Sequence, residues 1–255
     1  MQASSLRRCM KYTLSALFFS LVVSARAPAD TALSELDDAA ARMQYAYYTD
    51  DPRALEDTLG SVGALRTTPV PGLNEYFTAY GHWKLAQLYA EAQIAGAATS
   101  RSGAAKAAQE CERYAKAAIA KDGRMAEAYA LLAICHGNPS GGTCAAKPLK
   151  TALELEPQNP RVRLIELLCL DRKEWSSPTI VQRARSLVNA FDSAPASRPG
   201  KPDWGQAEAS LLLGQICLQR GDTVAARDSA ERALVVAPDY RKAQQLLQAA
   251  ARTSG

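Results

Sequence analysis

Apolar side chains along this chain recur at the three-and-four spacing of helices. In "AEASLLLGQICLQRGDTVAARDSAERALVVAPDY", residues 207–240, Ala209, Leu212, Leu213 and Ile216 stand at i, i+3, i+4 and i+7, the period of a half-buried helix. Asp203 and Gln206, just ahead of it, read as a capping box. Gly221 suits the left-handed residue that closes a helix, and Asp222 the cap of the next. That second helix runs through "TVAARDSAERALVVA", with Asp228 and Arg232 an i,i+4 pair on its polar side, until Pro238 stops it. A third, "RKAQQLLQAAAR", follows with Leu246 and Leu247 as its apolar residues. Two helices that cross closely need small residues where their axes approach. Gly214 and Ala226 supply them within the hairpin, and Ala233 receives the next helix.

A second stretch, "AEAYALLAICHGNPSGGTCAAKPLKTALELEPQN", begins at Ala126 and sets Ala133, Ala145, Ala152 and Pro157 at the positions held by Gly214, Ala226, Ala233 and Pro238. The pattern resembles the tetratricopeptide repeat, a helical hairpin of 34 residues with small residues and a proline at these places. The second copy departs from the family at "GNPSGGT", which replaces a tight turn, and at Pro148, which delays its second helix. "EYFTAYGHWKLAQLYAEAQIAG" and "AAKAAQECERYAKAAIAKDG" read as a looser pair. Two further pairs are expected at "ALSELDDAAARMQYAYYT" with "DPRALEDTLGSVGAL", and at "PRVRLIELLCLDRK" with "PTIVQRARSLVNAF". The resemblance implies an all-α, right-handed α-solenoid, because a single hairpin cannot bury its apolar face and must stack.

The chain divides accordingly: residues 1–27 as an export signal, 28–192 as partly degenerate helical repeats, 193–203 as a flexible linker rich in Pro, Ser and Ala, and 204–255 as a C-terminal hairpin with a capping helix. The signal has Arg7, Arg8 and Lys11, then an apolar run from about Leu14 to Val23, then Ala25-Arg26-Ala27, so cleavage is expected after Ala27. The run is too short to span a bilayer, and no membrane insertion is expected after cleavage. Removing four basic and no acidic residues takes the formal charge from +4 to zero, which leaves a nucleic-acid role without electrostatic support. The expected location is outside the cytoplasm, the periplasm if the source is a bacterium.

In the family, first-helix side chains line a concave groove that binds other proteins. Carried over residue by residue, the groove here would be lined by Tyr80, Trp83, Gln87, Ala90 and Glu91, by Glu127, Ala130, Ile134, Gly137 and Asn138, and by Glu208, Leu211, Gln215, Leu218 and Gln219. The Lys and Asn with which some members grip a terminal carboxylate are absent, since Trp83, Ala130 and Leu211 occupy the relevant place. The resemblance therefore implies a scaffold or adaptor that holds an apolar or mixed segment of another envelope protein. The alternative is a module that binds a small molecule or glycan on the aromatic cluster Tyr76, Phe77, Tyr80 and Trp83.

Candidate chemistry adds little. His82 and His136 are the only histidines, and no HExxH, GxSxG or glycine-rich phosphate loop occurs, so no enzyme is expected. No cofactor is expected either. Cys135, His136 and Cys144 could be three metal ligands, but zinc needs a fourth, and no metal is expected. Five cysteines follow the signal. An oxidising compartment would allow Cys135 and Cys144 to pair across the turn; two unpaired thiols is the other reading.

Overall fold

The computed structural model describes residues 28–65, 68–94, 100–138, 142–194 and 200–253. The export signal expected at residues 1–27 lies outside them. Eleven α-helices make up the described chain: α1 (Pro28–Tyr48), α2 (Pro52–Val62), α3 (Leu73–Ile94), α4 (Ser100–Lys121), α5 (Ala126–His136), α6 (Ala146–Leu155), α7 (Pro160–Leu168), α8 (Pro178–Asp192), α9 (Gln206–Gln219), α10 (Thr223–Val236) and α11 (Arg241–Thr253). A 3₁₀ turn, Arg172–Ser176, joins α7 to α8. The helices pack as neighbouring pairs, most extensively α3 on α4 and α9 on α10.

Local sequence sets the boundaries. α1 ends where Asp50 takes a left-handed φ of 51°, a conformation Asp tolerates better than most residues. Asp51 then accepts from the Ala54 N–H at 2.9 Å and Pro52 opens α2. Asn159 caps α7 in the same way ahead of Pro160. Gly221 has φ 80° and Asp222 accepts from the Ala225 N–H, so the expected turn between α9 and α10 holds. The expected close approach holds too: a Cβ on Gly214 would stand 3.1 Å from the Ala226 carbonyl oxygen and 2.6 Å from Leu246. Pro148 falls in the first turn of α6, where its missing N–H costs no helical bond.

Three sequence expectations are corrected. The cap of α9 is Gly205, whose N–H donates to the Glu208 carboxylate at 3.1 Å, and not Asp203 with Gln206. Arg232 pairs with Asp192 at the end of α8, not with Asp228, while Arg227 takes Glu231. The stretch 193–203 is no free linker in its described part. Gly200 is buried, its N–H donates to Asp37 of α1, and the chain runs on into buried Trp204. As a result α9–α11 share one core with α1 and α3.

The expected Cys135–Cys144 disulfide is also corrected. Cys135 lies on the side of α5 that packs against α4 and bonds Cys111, with Cα atoms 6.0 Å apart. Cys144 turns the other way and bonds Cys169 at the end of α7, with Cα atoms 5.4 Å apart. Each bridge closes a loop of about two dozen residues, worth about 3 kcal/mol in the chain-entropy model. Cys217 keeps a buried free thiol, pushed up in pKa by burial and then by Asp222. Alkylating the denatured, unreduced protein should therefore label Cys217 and spare Cys111, Cys135, Cys144 and Cys169. A proteolytic fragment joining Cys135 to Cys144 would sink this pairing.

Candidate functional site

The first helices of the pairs turn their large side chains towards one another, and the chain itself fills the space between them. Trp204, 3% exposed, enters just before α9 and stacks on Tyr80 with ring centroids 5.1 Å apart. Trp83 meets it edge-on at 5.5 Å, and the Trp204 indole N–H donates to the Tyr76 hydroxyl at 2.6 Å. The Tyr76 hydroxyl donates in turn to Glu127 at 2.6 Å. Glu127 also accepts from the capping Asn159 side chain at 2.8 Å and faces Arg161 at 3.8 Å. This network joins α3, α5, α7 and the lead into α9.

A second polar centre sits beside it. Lys84, 1% exposed, pairs with Glu208 at 3.2 Å as an ion pair out of hydrogen-bond alignment. Its ammonium lies 4.0 Å from the Trp83 ring centroid and 4.1 Å from that of Tyr47, within reach of cation–π attraction. The other Glu208 oxygen accepts from Tyr48 at 2.9 Å. Burial, reinforced by the neighbouring Glu208, pushes Tyr48 and Tyr80 well above the ordinary tyrosine range, and burial with Glu127 does the same for Tyr76. All three stay protonated, Tyr48 and Tyr76 as donors to Glu208 and Glu127.

The residues expected to line an open groove are thus mostly interior, and that expectation is corrected. Tyr80, Trp83, Ile134 and Leu211 are core, and Gln87, Glu127 and Glu208 are buried polar groups. Gln215 is half-buried on a separate cleft with Asp50 and Lys242. Gln219 is exposed, its amide donating to the Arg172 carbonyl at 2.8 Å. The aromatic cluster Tyr76, Phe77, Tyr80 and Trp83 is likewise interior, with Trp204 stacked on Tyr80 and Lys84 over Trp83. Lys84, Arg161 and Trp204 were not legible as members of this centre.

Two openings flank the Gly200–Trp204 segment. One, of about 310 Å³, borders Asp37, Asp38, Phe77 and Tyr80. The other, of about 750 Å³, is walled by Tyr48, Arg161, Phe191, Lys201, Trp204 and Val236. On the far side of α3, a further cavity of about 620 Å³ opens between α2, α3 and α4. His82 lines it, its ring parallel to Tyr114 at 5.7 Å, and burial holds its pKa down to about 4. Among the described residues no group of three His, Cys, Asp or Glu side chains could hold a metal ion, and no helix is long and apolar enough to cross a membrane.

No family model matches the chain. It is similar to the mouse protein O-mannosyl-transferase TMTC1, 29% identical over 133 residues. The match covers 52% of this chain but only 13% of that protein, so the chain corresponds to a small fraction of its relative's length. The relative is by name an enzyme. That corrects the expectation, drawn from missing motifs, that this chain is none: the absence of HExxH or GxSxG excludes those spellings and not catalysis as such. The likeness and the paired helices are compatible with a tetratricopeptide-like fold.

The buried pair should be costly to break from one side only. Lys84→Met or Glu208→Gln alone leaves an uncompensated group and should cost about 3–5 kcal/mol of unfolding free energy, while the double replacement should cost less than the sum. Additive losses in denaturant unfolding would show that the two side chains are not coupled. His82 gives a separate pH signature. With its folded pKa depressed from 6.5 to about 4, the unfolded chain binds more protons between those values. Its contribution is therefore complete above about pH 6.5 and is lost as pH falls towards 4. The unfolding midpoint should drop over that window, and less in His82→Gln; identical profiles would refute the assignment.

Proposed function

We propose that this protein is an exported, tetratricopeptide-like helical-repeat module that holds a segment of another envelope protein, as a scaffold or adaptor. The observation that carries the reading is the repeated hairpin geometry, with α9 and α10 brought into near contact at Gly214 and Ala226. Stacked hairpins of this kind expose long surfaces suited to chains of other proteins. The relative's name gives proteins as its acceptors, and holding a protein is a task a helical stack would perform in such a setting.

Because Trp204 fills the inner face, the docking surface in this reading is the 750 Å³ cleft beside it. Tyr48, Phe191 and Trp204 give that cleft aromatic and apolar walls, Arg161 and Lys201 give it charge, and Val236 lies 43% exposed among the lining residues. Export is supported by the n-region, apolar run and Ala-Arg-Ala of the first 27 residues. Two disulfides suit an oxidising compartment.

The test is to express the full chain, tagged at its C-terminus, in its own host, cross-link intact cells and identify what is captured. A mature N-terminus at Pro28 and one dominant envelope partner, lost from the Lys201→Glu, Val236→Asp variant, are expected. Both positions are exposed, so the variant should unfold like the parent. No partner above background, or a partner retained at full yield by that variant, would overturn the reading.

A further inference from the structure

We propose that the cavity between α2, α3 and α4 binds a zwitterionic ligand with an apolar body, namely a short peptide with free ends and aliphatic or aromatic side chains. The site is distinct from the cleft beside Trp204 and lies on the opposite side of α3. Its volume of about 620 Å³ falls within the range of small-ligand sites. Leu59, Val62, Leu85 and Ala107 make its floor apolar. His82 and Tyr114, with rings 8° from parallel, form one flat wall. Tyr89 forms another, backed by Gly103, where a Cβ would stand 3.0 Å from its ring.

Charge pairing decides what kind of ligand fits. Of the ionised side chains at the cavity, Glu75 is held by Lys121 at 2.6 Å and Glu110 by Arg113 at 3.1 Å. Among the described residues, Glu56 on α2 and Lys106 on α4 have no ion-pair partner. Among the described residues Glu56 accepts only the Tyr89 hydroxyl, which fixes it at the edge of the aromatic wall. Among the described residues the cavity thus presents one carboxylate, Glu56, and one ammonium, Lys106, that lie in no ion pair, on different helices above an apolar floor. His82 is neutral near pH 7, since burial holds it at about 4, and adds no third charge. A ligand ammonium would meet Glu56 and a ligand carboxylate Lys106, with apolar side chains against Leu59, Leu85 and the rings. Acids or bases of one sign would leave one of the two unanswered.

Gly60 of α2 lines the cavity, and a Cβ there would meet nothing within 4 Å. A larger side chain there can enter the cavity without disturbing the core, and replacing a helix-interior glycine favours the helix.

The test titrates the full chain with the tripeptide Leu-Phe-Leu, followed by calorimetry, against its N-acetylated and C-amidated forms. Saturable binding is expected, weakened about tenfold by either blocked end, the loss expected when one ion pair worth about a factor of ten is removed. Glu56→Gln should abolish sensitivity to acetylation and leave sensitivity to amidation; Lys106→Gln should do the reverse. Gly60→Leu should remove binding while the unfolding midpoint stays at or above that of the parent. No saturable binding up to several millimolar, on the order of the weakest specific affinities, would overturn the proposal. So would indifference to both blocked ends, or undiminished binding by a folded Gly60→Leu. Since none of these residues lines the cleft beside Trp204, either result leaves the cross-linking outcome to be judged independently.

Discussion

Trp204 is the side chain on which the interior depends. The inner sides of the first helices carry groups that no apolar core would choose: a lysine, two glutamates, an arginine and several tyrosines. Taking such charges out of water costs several kcal/mol per ion unless each is answered by partners of good geometry. Trp204 helps supply those conditions. Its indole face packs on Tyr80 and helps enclose Lys84, its N–H satisfies the Tyr76 hydroxyl, and its bulk excludes water from the Lys84–Glu208 pair. Without it, the rings of Tyr80 and Trp83 and the Glu127 network would border a cavity the size of an indole, with polar groups short of partners.

Closure follows from the same contacts. Glu208 is reached by Lys84 from α3 and Tyr48 from α1, while Tyr240, at the entry to α11, packs tilted against Tyr48 with ring centroids 4.4 Å apart. Lys242 reaches Glu91 at 2.7 Å and the Tyr47 hydroxyl at 3.1 Å. Burial disfavours its charge, but Tyr47 and Glu91 outweigh this and raise its pKa. The first and last parts of the chain therefore meet over the third helix. A groove expected to stay open for a partner is closed by residues from both ends, because the positions that would line it carry Tyr80 and Trp83, side chains large enough to bridge the gap.

The helices themselves were legible because local rules decide them. Periodicity, Asp222 and Gly221 fixed the α9–α10 turn, and Gly214 with Ala226 marked the crossing. What escaped was long-range. Nothing near Cys135 in the chain distinguishes Cys144, nine residues on, from Cys111 on another helix; only the packing of α4 on α5 does. "DSAPASRPGKPD" lacks periodicity and so reads as a linker, yet an aperiodic segment can still be held by single contacts, as Asp37 holds Gly200. Nothing local marks Lys84 as interior, since lysine is usually exposed. Its role depends on Glu208, more than a hundred residues away.

α3 is buried on most sides, Lys84 and Gln87 included, because neighbours cover it nearly all round. On one side Gly81 lets it approach α1 and α2, where a Cβ would meet Met43 at 2.4 Å and Leu59 at 2.7 Å. On another it carries the Trp204 centre, and on a third it floors the outer cavity with His82, Leu85 and Tyr89. The walls of that cavity are not left to α3 alone. The Cys111–Cys135 bridge ties α4 to α5, and α5 carries Glu127 of the inner network. The position of Lys106 and Tyr114 on α4 is thus coupled, through one covalent link and one buried carboxylate, to the same interior that Trp204 completes. A rigid interior of this kind lets both sides of α3 present fixed geometry while only the outer side remains open.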